Sequence, residues 1–242
     1  MSTRISEYTS PGEVPLSSDE NLTSTLWEHE AAHPNHAILS YRVGDRFVPV
    51  TYAEMASQVR RLAAGIMGLG LEPGSRICIF SPTRYEFTVI DYAIWAAACA
   101  TVTIYETSSA DQVQWIVSDS GADVVICADD TLRAVFDEAT ASMENRPRVF
   151  TIDSGGLDEL IEKGAQISDD QVMERAASAK HDDLATLVYT SGTTGLPKGC
   201  ELTVRNFVWT VRQAMHVLRD VINMDAVTLM FLPLAHLSLI HI

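Results

Sequence analysis

Short runs of branched and apolar residues alternate along this chain with stretches of helical periodicity, and that alternation restricts the fold more than any other feature. Phe47–Tyr52, Arg76–Phe80, Thr101–Tyr105, Ala122–Cys127, Arg148–Ile152 and Leu184–Tyr189 each read as a strand. The residues between them read as helices. Met55, Val59, Leu62, Ile66 and Leu69 recur at spacings of four and three, an apolar stripe that Gly70 and Pro73-Gly74 bring to a stop. Tyr85–Ala100 is apolar and rich in small residues, which suits a helix packed on a sheet. Ser108 is positioned to cap a helix over Ala110–Ser118, with Asp111 in its first turn. Thr131–Ser142 predicts another helix, and the polar segment Asp153–Asp183 predicts two short ones. Cys200–Thr203 reads as a short strand, Arg205–Arg219 as a helix and Ala226–Leu232 as a last strand. Such alternation means βαβ units and a mostly parallel sheet layered between helices, an α/β fold. Apolar residues make up 47% of the 242, enough to cover both sheet faces.

The strand at Leu184 empties into Thr190-Ser-Gly-Thr-Thr-Gly-Leu-Pro-Lys-Gly199. A loop of small residues, hydroxyls and one lysine behind a strand is suited to holding phosphate. Gly192, Gly195 and Gly199 let the backbone come close to a ligand, so that exposed N–H groups can form an anion-binding nest. Thr190, Ser191, Thr193 and Thr194 add hydroxyl donors, and Lys198 adds a mobile positive charge. The nucleotide loop with a Gly-Lys-Ser/Thr ending is excluded, because Pro197 precedes Lys198 and Gly199 follows it. The glycine spacing also fails the dinucleotide pattern.

The full string resembles the phosphate loop of the AMP-forming acyl-activating enzymes, whose pattern Tyr/Thr-Ser-Gly-Thr-Thr-Gly-x-Pro-Lys-Gly it matches at every position. Ser81–Glu86, Val102–Ser109 and Gln114–Gly121 look like the long-chain fatty acid–CoA ligases within that superfamily, and read as packing and strand-edge segments. Phe231-Leu-Pro-Leu-Ala-His236 resembles a further family motif whose histidine lies near the carboxylate substrate. The chain departs from the family at Thr203-Val-Arg-Asn206, where relatives often carry Thr-His-x-Asn; a polar role of that histidine is absent here or passes to Arg205.

The resemblance implies the layered, mostly parallel sheets of the large N-terminal domain of these ligases, present incompletely. It implies ATP, Mg²⁺ and coenzyme A, and a fatty acid as small-molecule substrate. Thr190, Ser191, Gly192, Thr193, Thr194, Gly195, Lys198 and Gly199 would hold the ATP phosphates, with Lys198 neutralising charge, and His236 would sit on the substrate side. One threonine hydroxyl would reach the metal; which one is open. Family members continue with an adenine-binding segment, a metal-coordinating glutamate, a ribose-binding aspartate, a hinge and a C-terminal lysine. Residues 1–20 read as a partly disordered lead-in and 21–236 as the adenylation-domain portion. Residues 237–242, Leu-Ser-Leu-Ile-His-Ile, equal the translation of a transposase mosaic-end adapter and are expected to be read-through, leaving a truncated, inactive chain.

Lys and Arg total 17 against 32 Asp and Glu, a net charge of −15. Such a surface argues against nucleic acid or an anionic bilayer as partner, while a local loop around Lys198 can still be positive. The acidic, Ser/Thr-rich N-terminus has no apolar signal region. The apolar run Tyr92–Tyr105 falls short of the roughly 20 residues a membrane helix needs, which leaves peripheral contact as the membrane option. Cys78, Cys99, Cys127 and Cys200 form no C-x-x-C pair and read as reduced, buried thiols of a cytoplasmic protein.

Overall fold

The computed structural model describes residues 14–190, 196–218, 220–221, 223–224, 226–230 and 233–236. Its helices are α1 (Ser24–Ala32), α2 (Tyr52–Gly68), α3 (Tyr85–Ala96), α4 (Ala110–Ser120), α5 (Asp130–Thr140), α6 (Gly156–Lys163), α7 (Asp169–Ala177) and α8 (Val204–Leu218). Its strands are β1 (Ala37–Val43), β2 (Arg46–Thr51), β3 (Arg76–Phe80), β4 (Ala100–Ile104), β5 (Val124–Cys127), β6 (Arg148–Thr151), β7 (Leu184–Thr190) and β8 (Lys198–Thr203). Six of these strands form one sheet in the order β6-β5-β3-β4-β7-β8. All neighbours in it are parallel except β7 and β8. The α/β expectation is met.

Alternation along the central strands builds a helical layer on each side. Ile77, Ile79, Val124 and Ile126 face a core shared with α2, α3, α6 and α7. Cys78, Phe80, Val125 and Cys127 face the opposite core, under α4 and α5. Strands covered on both faces are continuously apolar, the pattern of a buried parallel sheet. Helix α2 packs so closely on α6 that a Cβ on Gly65 would lie 2.3 Å from the Leu160 carbonyl oxygen. That contact requires glycine.

Local chemistry sets the helix starts. Thr51 and Glu54 form a reciprocal capping box on α2, and Ser168 and Gln171 form another on α7. The cap of α4 is Ser109, not Ser108: its hydroxyl accepts from the Gln112 N–H, and Gln112 reaches back to the Ser109 N–H. The box needs its polar partner three residues on, and only Ser109 meets Gln112 at that spacing.

Four other expectations change. Helix α3 ends at Ala96 instead of Ala100, because Ala100 pairs with Arg76 as the first residue of β4. Ala98 takes φ 53° to make the turn. Strand β1 appears where the sequence reading has none, paired antiparallel to β2 across a turn with Gly44 at φ 58°. This hairpin leans on α3 through Tyr41 stacked on Tyr85 at 4.8 Å. Residues 226–230 of the expected last strand carry no ladder; Val227 and Leu229 are 96% and 71% exposed. An apolar run becomes a strand only beside a neighbour that takes its backbone hydrogen bonds, and none stands there among the described residues. Residues 231 and 232 of that run lie outside them. Finally, Cys78, Cys99 and Cys127 are buried free thiols, as read, but Cys200 is exposed on β8.

Candidate functional site

In an open parallel sheet, ligands bind beyond the carboxyl ends of the strands, and the two described flanks of the predicted loop, Thr190 and Lys198, stand there. Strand β7 is buried from Ala185 to Tyr189 and surfaces at Thr190. The chain returns antiparallel as β8, so that Thr190 faces Lys198 and Tyr189 faces Gly199 across the ladder. Thr190, Lys198 and Gly199 are all exposed. Ser191, Gly192, Thr193, Thr194 and Gly195 lie outside the described residues. What the structure places is therefore the two flanks of the loop, side by side, with one hydroxyl and one cation opposite each other.

Both flanks are tied down. The Tyr189 hydroxyl donates to Asp119 Oδ2 at 2.7 Å, and Trp115 Nε1 donates to the Pro197 carbonyl at 2.8 Å. Burial pushes the Tyr189 phenol above its ordinary range, and the bond to Asp119 and its charge push the same way. The ring therefore keeps its proton and acts as the donor. It lies across Gly199, where an added Cβ would stand 3.1 Å from Cζ. A Cβ at position 199 would press on the ring and shift it by a few tenths of an ångström.

The His236 backbone ends a short 3-10 helix, Leu234–His236. Two threonines seat that helix on the sheet. The Leu234 N–H donates to Thr83 Oγ1 at 3.0 Å, and Thr103 Oγ1 donates to the Ala235 carbonyl at 2.8 Å. Thr83 follows β3, and Thr103 lies near the end of β4 with Val188 as its ladder partner on β7. The His236 backbone and the Thr190–Lys198 flanks thus share one end of the sheet.

Nearby, Arg84 opens α3 and holds Glu86 through two bonds of 2.7 and 2.9 Å and Asp153 at 2.9 Å. Its bonds to Glu86 hold the guanidinium firmly protonated. Burial pulls Glu86 upward, but the Arg84 bonds and charge together with a backbone N–H bond outweigh it, and the carboxyl ends below its ordinary value. This network locks the segment after β3 on which Thr83 sits. Arg205, beside Val204 at the departure from the family pattern, is engaged away from the loop. It pairs with Asp182 at 3.0 Å, and the adjoining β8 end, Thr203, faces Leu184 at the start of β7. That is the far end of β7 from Thr190.

The sequence reading missed Trp115, Asp119, Thr83 and Thr103 as site supports. The first two lie four residues apart inside Gln114–Gly121, a stretch read as a packing and strand-edge segment. Among the described residues no three His, Cys, Asp or Glu side chains gather where they could hold a metal ion. No helix among them is long and apolar enough to cross a membrane.

A family model described as AMP-binding enzyme matches residues 26–240. The chain belongs to the AMP-binding enzyme family. Within this family it is 38% identical over 233 residues to the long-chain-fatty-acid–CoA ligase FadD15 of Mycobacterium bovis, an alignment covering 95% of the chain and 39% of that protein. The chain thus spans about two fifths of the length of the curated relative it matches. The AMP-binding fold is shared with solved structures. VinN in complex with 3-methylaspartate superposes with a TM-score of 0.68 at 23% identity, over 85% of this chain and 53% of VinN. A fatty acyl-adenylate ligase from L. pneumophila, in complex with acyl adenylate and pyrophosphate, gives 0.64 at 19% identity, over 82% of this chain and 33% of that one.

Proposed function

We propose that the complete protein is an ATP-dependent long-chain fatty acid–CoA ligase, to which residues 21–236 contribute the N-terminal part of the adenylation domain. One observation carries this reading: the sequence string Thr190–Gly199 follows a parallel strand, and its flanks bring Lys198 opposite Thr190 at that strand's carboxyl end. The likeness to FadD15 supports a fatty acid as the substrate class.

In the first half-reaction a carboxylate oxygen attacks the α-phosphorus of ATP. The bond to the β-phosphate oxygen breaks, pyrophosphate leaves, and an acyl-adenylate forms. In the second, the coenzyme A thiol gives up its proton and its sulfur attacks the acyl carbon, so that AMP leaves and the thioester remains. The obstacle in the first step is bringing an anion to a polyanion, so catalysis rests on positioning and charge stabilisation. Thr190, Ser191, Thr193 and Thr194 donate hydroxyls to phosphate oxygens, and the backbone N–H groups around Gly192, Gly195 and Gly199 line the same cradle. Lys198 neutralises charge as pyrophosphate departs. His236 borders the acyl carboxylate. Magnesium bound with ATP would supply further charge neutralisation. The described residues offer a threonine hydroxyl and no carboxylate cluster for it, so they do not build a metal site by themselves.

ATP–pyrophosphate exchange with the complete protein tests the reading. Palmitate should support exchange, while aspartate, aromatic and short-chain acids should not. Exchange with one of those acids alone would move the assignment to an adenylate-forming ligase of different specificity, a reading to which the structural likeness to VinN lends weight. No exchange with any acid would leave a non-catalytic binding or packing role.

A further inference from the structure

We propose that Trp115 and Asp119 are positioning residues for the phosphates of the nucleotide, a role that rests on the ligase reading of the loop. Four residues apart on α4, they share a face of the helix. Each holds one side of the loop: Asp119 takes the Tyr189 hydroxyl before it, and Trp115 takes the Pro197 carbonyl after it. Helix α4 is itself well fixed. Its capping box closes the first turn, and Val113, Ile116 and Val117 are buried in the core beneath β4 and β5.

The two bonds do something that packing does not. The ladder from Leu184–Thr203 to Thr190–Lys198 fixes the two strands but ends at Lys198, one residue short of Pro197. Trp115 extends the hold to Pro197 and Asp119 fixes the Tyr189 ring, so both flanks are tied to one rigid helix. The Tyr189 ring, held by its hydroxyl, lies over Gly199 and so steadies the backbone next to Lys198. Donors that must converge on phosphate oxygens lose much of their effect when misplaced by an ångström, and supporting hydrogen bonds prevent such misplacement. The stretch Gln114–Gly121 thereby does more than pack against the sheet, because it also holds the flanks that carry Thr190 and Lys198.

The test uses the complete protein and ATP. Trp115→Phe and Tyr189→Phe each delete one donor and keep the ring. Each should weaken ATP affinity by calorimetry, and raise the ATP KM in pyrophosphate exchange, by about 5- to 20-fold. The fatty-acid KM should stay within about twofold, because that site is seated separately by Thr83 and Thr103. Asp119→Ala should match Tyr189→Phe, while Asp119→Asn, which keeps an acceptor, should stay near the parent. Gln114→Ala, on the same helix but bonded to Ser142, should change neither constant. Equal rises in both KM values, or a lower melting temperature with unchanged ATP affinity, would overturn the proposal and leave α4 a scaffold. Absence of exchange in the parent would sink the ligase reading alone. The calorimetric comparison of Trp115→Phe and Tyr189→Phe with the parent still decides the clamp.

Discussion

Strands β5 and β8 belong to one sheet and have little else in common. All four residues of β5 are buried, it has a parallel neighbour on each side, and helices cover both its faces. Strand β8 is exposed over its first four residues and, among the described residues, pairs only with β7, antiparallel. What β5 buries is what makes it a strand. β8 is held by backbone bonds and by anchors on α4, and that leaves the Lys198 side chain in solvent, where a ligand can meet it. A sheet can thus keep a rigid interior and still offer reactive groups at one edge.

The contrast breaks most sharply at Ile126, which is fully buried on β5. Ile126→Ala should cost about 2–5 kcal/mol, read from the urea midpoint, through lost transfer energy and the cavity left behind. A loss under about 1 kcal/mol would mean the interior relaxes like a surface. Lys198→Ala should do the reverse. The adenylation rate should fall about 100-fold and the ATP KM should rise, with the melting temperature unchanged. Unchanged pyrophosphate-exchange kinetics would remove Lys198 from the site.

A polar group inside the sheet layer sharpens the comparison. Asp91 on α3 is 4% exposed and accepts from Thr101 of β4 at 2.5 Å. Burial pushes its carboxyl up to about 7, against a downward pull from the Thr101 bond. A raised value means that the folded chain holds this proton more tightly than the unfolded chain. Its stabilisation is complete below the unfolded value near 3.8 and is lost as pH climbs to about 7. Asp91→Asn should therefore flatten that decline and stabilise the chain at pH 8 by about 1–3 kcal/mol, with little difference below pH 4, by denaturant titration at each pH. The smallest effect belongs to β8. Cys200→Ser should shift stability by no more than about 0.5 kcal/mol, and a larger change would show that β8 packs more tightly than its exposure indicates.

Much of the fold was legible because burial leaves a local record. The bounds of β3 follow from its apolar run, the stripe from Met55 to Ile66 is the buried face of α2, and both flanks of the loop stand where the strand before it points. Misreadings arose where tertiary pairing outweighed local preference. Ala97–Ala100 continues an apolar helical pattern, yet Ala100 is needed against Arg76. The run from Ala226 to Met230 has the composition of a strand and no partner to make it one among the described residues.

The sequence by itself determined the βαβ alternation and the chemical content of the loop, its one lysine included, because periodicity, glycine and hydroxyl spacing are local properties of the chain. The tertiary structure alone decided that β4 and β5 flank β3, that Thr83 and Thr103 seat the segment ending at His236, and that α4 bonds to the loop's flanks at Tyr189 and Pro197. Trp115 reaches Pro197 across 82 residues and Asp119 reaches Tyr189 across 70. Bonds over such separations exist only once the core between them has packed, and no local pattern records them.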